Sequence, residues 1–361
     1  MLTYFYKRER GVKMKKITAL ILAVISVFTF TVSSFALSME GGVEALKAQF
    51  VQDEGPKVDK YSVDYSYYSP VKENDTAKYP LVVWLHGMGD GAEPGLPVVK
   101  SNIAYWSSDE FQARFKPAGG AFVLAARSRE EDGIFWGNQM IEPLRAAIDD
   151  FIEQNKKNID LSRIYVGGYS MGGKMTLKMA VAYPEMFAAA FPICPAWAPS
   201  EELIERSLKD MPVWITSSTR DPLVNYYMAV TPTWEKIIAA SNIPGDCRFS
   251  TLTKVCFEDG TKTDSSHHAW FAVNHDLFSA ENGDYPYMTT VDGNGETVEL
   301  TFPNGMISWL VSHTSDYDGS KGEGTGNIES GDSTDNIIAA EGILDFFKHI
   351  FNAILMILKL R

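Results

Sequence analysis

One stretch constrains this chain more than any other. An apolar run, Ile164-Tyr165-Val166, enters Gly167-Gly168-Tyr169-Ser170-Met171-Gly172-Gly173, and a helical pattern from Lys174 to Tyr183 leaves it. Gly-x-Ser-x-Gly between a strand and a helix predicts a nucleophile elbow. The turn is so tight that its central serine takes strained backbone angles, and glycine at both flanks removes the Cβ atoms that would collide with neighbouring backbone. Ser170 Oγ is then held outward, above a helix N-terminus that favours negative charge.

The surroundings suit such an elbow. Leu81 to Leu85, Ala121 to Ala126, Arg163 to Gly167, Ala188 to Ile193, Val213 to Ser217 and Thr251 to Val255 read as short buried strands, with amphipathic stretches such as Ile141 to Gln154 between them. Strand and helix in alternation predict an α/β fold, a mostly parallel sheet with helices on both faces. Tyr61 to Tyr68 precedes them and reads as part of an antiparallel edge. No internal repeat is visible. Residues 57–313 form the expected catalytic domain, and in such sheets the chemistry lies in loops at the carboxyl ends of the strands.

Those loops hold the rest of a constellation. A nucleophilic serine needs donors for the oxyanion, a base, and a carboxylate that orients the base, in the chain order Ser, acid, His on this kind of scaffold. The backbone N–H of Met171 is one expected donor. The strand Leu81 to Leu85 runs into His86-Gly87-Met88-Gly89, which makes Met88 N–H the second; His86 is expected to orient the loop. Asp221, after the strand Val213 to Ser217, is the expected acid, although Asp before Pro222 also reads as a turn former. Asp264-Ser265-Ser266-His267-His268-Ala269-Trp270 offers two histidines as base. Trp136 and Tyr169 are the candidates for a substrate pocket, Trp136 reading equally well as core. Glu130, Glu131 and Asp132 read as a solvated loop. No metal-ligand spacing and no phosphate-cradling glycine loop appears, and no cofactor is implied.

His86-Gly-Met-Gly, Gly168-Tyr-Ser-Met-Gly-Gly, Asp221-Pro-Leu-Val and above all His267-x-x-Trp270 resemble secreted α/β-hydrolase esterases of the group labelled predicted peptidases or prolyl-oligopeptidase-like esterases, relatives of the feruloyl and polyhydroxybutyrate esterases. The resemblance covers about residues 57–313. It implies an α/β-hydrolase fold, His267 as the base, and a serine hydrolase acting on carboxylic esters of acylated carbohydrates or small aryl esters, with a peptidase or a non-catalytic adhesion protein on the same scaffold as alternatives.

The ends read differently. Met14-Lys15-Lys16, an uncharged run from Ile17 to Val32, and Ser34-Phe35-Ala36 predict a signal peptide over residues 1–36, hence secretion, against the alternative of a retained anchor. Residues 314–336 are acidic and nearly devoid of apolar side chains, a flexible linker. In 337–361, Ile343, Phe346, Phe347, Ile350, Phe351, Ile354, Leu355 and Leu358 fall on one helical face, predicting an amphipathic helix that contacts a membrane or envelope surface or packs back on its own domain. Net charge is −13, and the chain without residues 1–36, which hold six of the 33 basic and one of the 46 acidic residues, carries −18. Such a surface argues against nucleic acid, and a small-molecule or polysaccharide-linked ester is the partner that the resemblance implies. Cys247 and Cys256 flank an expected strand that holds them beyond disulfide reach.

Overall fold

The computed structural model describes residues 42–256, 262–263, 267–272, 287–299 and 305–320. The expected signal peptide, most of the linker and the C-terminal amphipathic segment lie outside them. Nine strands form one sheet: β1 (Val51–Glu54), β2 (Asp64–Tyr68), β3 (Tyr79–Leu85), β4 (Phe122–Arg127), β5 (Ile159–Tyr169), β6 (Ala189–Ile193), β7 (Trp214–Ser218), β8 (Arg248–Leu252) and β9 (Met288–Asp292). Their order is β1-β2-β4-β3-β5-β6-β7-β8-β9. The six strands from β4 to β8 in that order run parallel, while β2 joins β4, β1 joins β2 and β9 joins β8 antiparallel. The α/β expectation is borne out, and the Tyr61 to Tyr68 segment does supply an antiparallel strand near one edge.

Burial explains the parallel centre. Every residue of β3, β4, β6 and β7 is buried, the mark of strands covered on both faces. Helix α1 (Ile141–Asn155) lays Phe151 against Tyr65, Tyr67 and Phe122 of β2 and β4. The Trp84 ring of β3 meets Trp106 edge-on at 5.6 Å and Phe191 of β6 at 6.3 Å. Helix α2 (Met171–Ala182) follows β5 directly and is buried along most of its length.

Strand bounds differ most from the sequence reading at β8, which spans Arg248–Leu252 where Thr251 to Val255 was expected, and at β5. The strand expected at Arg163 begins four residues earlier, at Ile159, because Asp160 folds back on Ser162 and Arg163 and lets a polar stretch join the sheet half-buried. The Asp292 to Gly295 turn closes a hairpin through Asp292 N–H to Glu296 O at 2.9 Å, and its strand β9 lies beside β8, extending the sheet. The start of the expected linker stays on the domain: Ser315 N–H donates to Ser162 O, and buried Tyr317 accepts from Arg145 Nη2 at 3.2 Å. Cys194 and Cys247 are buried free thiols.

Candidate active site

Ser170 sits where β5 ends and α2 begins, with φ 60° and ψ −114°, one of five positive-φ non-glycine residues among those described. The glycines around it have no room for side chains. A Cβ on Gly168 would lie 2.5 Å from Leu85 O, and one on Gly172 would overlap that same carbonyl. Ser170 N–H donates to Ile193 O at 2.9 Å, and Ser170 O accepts from Lys174 N–H, so the elbow is tied to β6 on one side and to its helix on the other. Strain of this kind costs of order 1–3 kcal/mol and persists only where neighbours enforce it.

Asp221 and His267, 46 residues apart, meet in the loops after β7 and β8. His267 Nδ1 lies 2.7 Å from Asp221 Oδ2, and the Asp221 side chain is wholly buried. The other oxygen, Oδ1, accepts the N–H groups of Leu223 and Val224 at 2.8 and 2.9 Å. One carboxylate oxygen thus faces the imidazole and the other closes the turn at Pro222. Burial raises the carboxyl, but the His267 charge and hydrogen bond together with the two backbone donors outweigh it and hold Asp221 below its ordinary value. The Tyr169 ring, adjacent to Ser170, packs on His267 at 4.9 Å. His268 instead stacks with Trp270, and burial pushes it down to about 4. Of the other histidines, His275 lies outside the described residues and His313 packs against Trp309.

The loop after β3 is held from beneath. His86 is fully buried, with Nδ1 2.7 Å from Gly87 O and Nε2 accepting Ser128 N–H at 3.1 Å, and burial pushes it down to about 4. One ring nitrogen meets its own loop at Gly87 and the other the backbone after β4 at Ser128, so His86 orients backbone, as expected from the sequence. Trp136 is 2% exposed; its Nε1 donates to His86 O at 3.2 Å and its ring lies 5.2 Å from the imidazole, so it occupies the core side of the loop. Tyr169 is 9% exposed, pressed against Gly87, where a Cβ would lie 2.6 Å from its ring. Met88 projects its side chain into solvent, and its N–H makes no hydrogen bond among the described residues. Met171 is the first residue of α2, where backbone N–H groups have no intrahelical partner.

Cys194 was not anticipated. It follows β6 with φ 43°, is fully buried, and donates Sγ–H to His267 O at 3.6 Å. Its sulfur, the His267 ring nitrogen and an Asp221 oxygen lie within 4.8 Å of one another. These could serve as metal ligands by type, but burial and the Asp221 charge push the thiol well above its ordinary value, so it stays protonated and acts as a donor beneath the pair. The only advance signal was its place at the carboxyl end of a strand. Glu130, expected in a solvated loop, is a second surprise: Oε2 accepts the N–H groups of Gly89 at 2.8 Å and Gly91 at 3.2 Å. Tyr227 and Met228, on a π-helical turn after β7, join Met88 and Phe135 as exposed large hydrophobic side chains on loops that follow β7, β3 and β4.

A thermostable esterase of known structure superposes with a TM-score of 0.55 at 24% identity, over 74% of this chain and 64% of that one. The fold is that of the α/β-hydrolases. Within the α/β-hydrolase domain, residues 126–257 match the family described as phospholipase/carboxylesterase. A bifunctional acetylxylan esterase/xylanase from Neocallimastix patriciarum is 24% identical over 167 residues, which is 45% of this chain and 22% of that protein. The chain thus spans about a fifth of that relative and under two thirds of the esterase. Among the described residues no helix is long and apolar enough to cross a membrane.

Proposed function

We propose that the protein is a serine hydrolase that cleaves carboxylic esters, with acylated carbohydrates or small aryl esters as its substrate class. The observation that carries this reading is the 2.7 Å contact between His267 Nδ1 and Asp221 Oδ2, at the same sheet edge as a strained serine. In this reading Ser170 Oγ attacks the ester carbonyl and its proton passes to His267 Nε2. Asp221 fixes the tautomer that leaves Nε2 free and stabilises the imidazolium. The oxyanion of the tetrahedral intermediate is met by the N–H groups of Met88 and Met171. As the intermediate collapses, the C–O bond to the alcohol breaks and His267 returns the proton to it. Water then repeats the attack on the acyl-enzyme and frees the acid.

Two features favour the substrate class. The acetylxylan esterase/xylanase relative has acylated carbohydrate in its name, and the exposed Met88, Phe135, Tyr227 and Met228 offer apolar surface to an aryl or acyl group. Secretion through residues 1–36 would bring such an enzyme to extracellular polymers, and the helix pattern of 343–361 would hold it at an anionic surface. Co-sedimentation of the protein with anionic liposomes, with and without residues 337–361, tests the last point; equal recovery in the supernatant overturns it.

The test of the activity is labelling with a fluorophosphonate probe beside turnover of short-chain nitrophenyl esters, feruloyl and acetyl sugars, and prolyl peptides. Ser170-dependent labelling with ester turnover is expected. Turnover confined to peptides would make the protein a peptidase, and folded protein without Ser170-dependent labelling would leave adhesion on a hydrolase scaffold.

A further inference from the structure

The loop from His86 to Gly91 has more backbone donors than an oxyanion site uses, and what happens to the surplus is informative. Gly89 N–H and Gly91 N–H both go to Glu130 Oε2, and Asp90 N–H turns back to Gly87 O at 3.3 Å. Met88 N–H stays open among them. The carbonyl of Gly91 is taken as well, by Arg127 Nη1 at 2.9 Å. Arg127 is itself fixed by Asp64 at 2.5 Å and by Glu131 at 2.7 Å. Ser128, next in sequence, holds His86. Residues 127–130, at the carboxyl end of β4, thus grip the neighbouring loop at four backbone or side-chain points.

We propose that Glu130 is a positioning residue for the oxyanion hole: by binding the N–H groups of Gly89 and Gly91 through one oxygen, it sets the loop so that the Met88 N–H is the donor left for the substrate. This rests on the serine hydrolase reading for its function, though not for its geometry. A carboxylate suits the task because one oxygen with two lone pairs can take both N–H groups, and charge strengthens each bond. The second oxygen, Oε1, is buried and makes no hydrogen bond among the described residues. The charged groups that act on Glu130 or its neighbour Asp90 are Asp90 on the loop, Glu131 beside it, Arg127 on β4, and Lys100, whose charge acts on Asp90. Burial, offset in part by the Gly89 and Gly91 N–H groups and with Glu131 adding, raises Glu130 to about 7, so the grip weakens as the carboxylate takes up a proton near neutrality.

The experiment compares wild type, Glu130→Ala and Glu130→Gln as full chains with two readouts. Hydrogen exchange by mass spectrometry of the peptide spanning residues 86–92 reads the grip without need of activity. Glu130→Ala should speed exchange of the Gly89 and Gly91 amides about tenfold or more, and Glu130→Gln, which keeps one acceptor oxygen, should restore most of the protection. Kinetics on an ester and on its thionoester, whose sulfur accepts hydrogen bonds poorly, read the hole itself. Glu130→Ala should lower kcat on the ester by about 10²-fold, with KM within about threefold, and should shrink the preference for the ester over the thionoester. A folded Glu130→Ala protein with unchanged exchange, with kcat within about threefold of wild type, or with an undiminished ester preference overturns the proposal. A wild type that turns over no ester in a Ser170-dependent way would count instead against the hydrolase reading, and the exchange data would still decide the grip.

Discussion

The Tyr169 ring lies against the His267 imidazole with centroids 4.9 Å apart, so the residue before Ser170 fixes one face of the imidazole that meets Asp221. The same ring closes on Gly87 of the loop after β3. One buried side chain therefore touches the His267 imidazole and the loop after β3 at once. Tyr169→Ala should lower kcat by about 10-fold or more while Ser170 remains present, and should soften the loop as well as the base. Phe at this position should restore most of the rate, since the packing face and not the hydroxyl makes both contacts. Steady-state kinetics on a nitrophenyl ester check both variants.

The two adjacent histidines should separate cleanly. His267→Ala removes the imidazole that lies 2.7 Å from Asp221 and should reduce kcat by about 10⁴-fold or more, with the fold intact by circular dichroism. His268→Ala removes packing against Trp270 and should act mainly on Tm. The reverse ranking in kcat would exchange the roles.

Asp221→Asn should cost about 10⁴-fold in kcat, because an amide in place of Oδ2 can present a donor to His267 and favour the wrong tautomer. The same substitution should leave the turn partly intact, since an asparagine oxygen can still accept from Leu223 and Val224. The Asp221 carboxyl is depressed, so its contribution to stability is present above about pH 4, the ordinary carboxyl range, and is lost as pH falls through the lower folded value. Acid unfolding of wild type and Asp221→Asn, followed by fluorescence, should converge at low pH.

Asp90 and Glu130 titrate in the opposite sense. Burial first, and then their mutual repulsion for Asp90, raise each to about 7. The folded state holds these protons more tightly than the unfolded chain does, so stability from this pair is complete below about pH 4 and declines as pH climbs to about 7. Tm measured from pH 4 to 8 should show this fall superposed on the remainder of the protein, and Asp90→Asn should flatten it. An unchanged slope in Asp90→Asn would refute the assignment.

Ser170→Gly should stabilise the protein while abolishing Ser170-dependent labelling. Relief of the positive φ exceeds the added flexibility of glycine by about 1 kcal/mol, or roughly 2–4 °C in Tm for a domain of this size. Differential scanning calorimetry of the two proteins measures it.

Much of this was legible in the residues. The elbow, the parallel centre and the pairing of Asp221 with a histidine from the next strand's loop all follow from spacing, because strand, turn and helix each carry a local signature. The choice of His267 over His268 came from the His-x-x-Trp resemblance, and the contact with Asp221 gives it a geometric basis. Local spacing is silent about partners brought together by the sheet. Glu130 sits 41 residues from Gly89 and Cys194 sits 73 from His267, so neither bond leaves a trace in its own neighbourhood. The polar run Asp160 to Arg163 concealed the start of β5 for a related reason: a strand end satisfied by its own side chains need not look apolar.

An open sheet has two free margins, and each could recruit a strand from another molecule. Here β1 is only four residues long, fully exposed, and places Asp53 and Glu54 along its edge, in a chain already strongly negative. At the opposite margin β9 is covered in part by its own hairpin, through the Val291 bridge to Thr297. Among the described residues, both margins therefore carry features that disfavour the addition of a strand from another molecule.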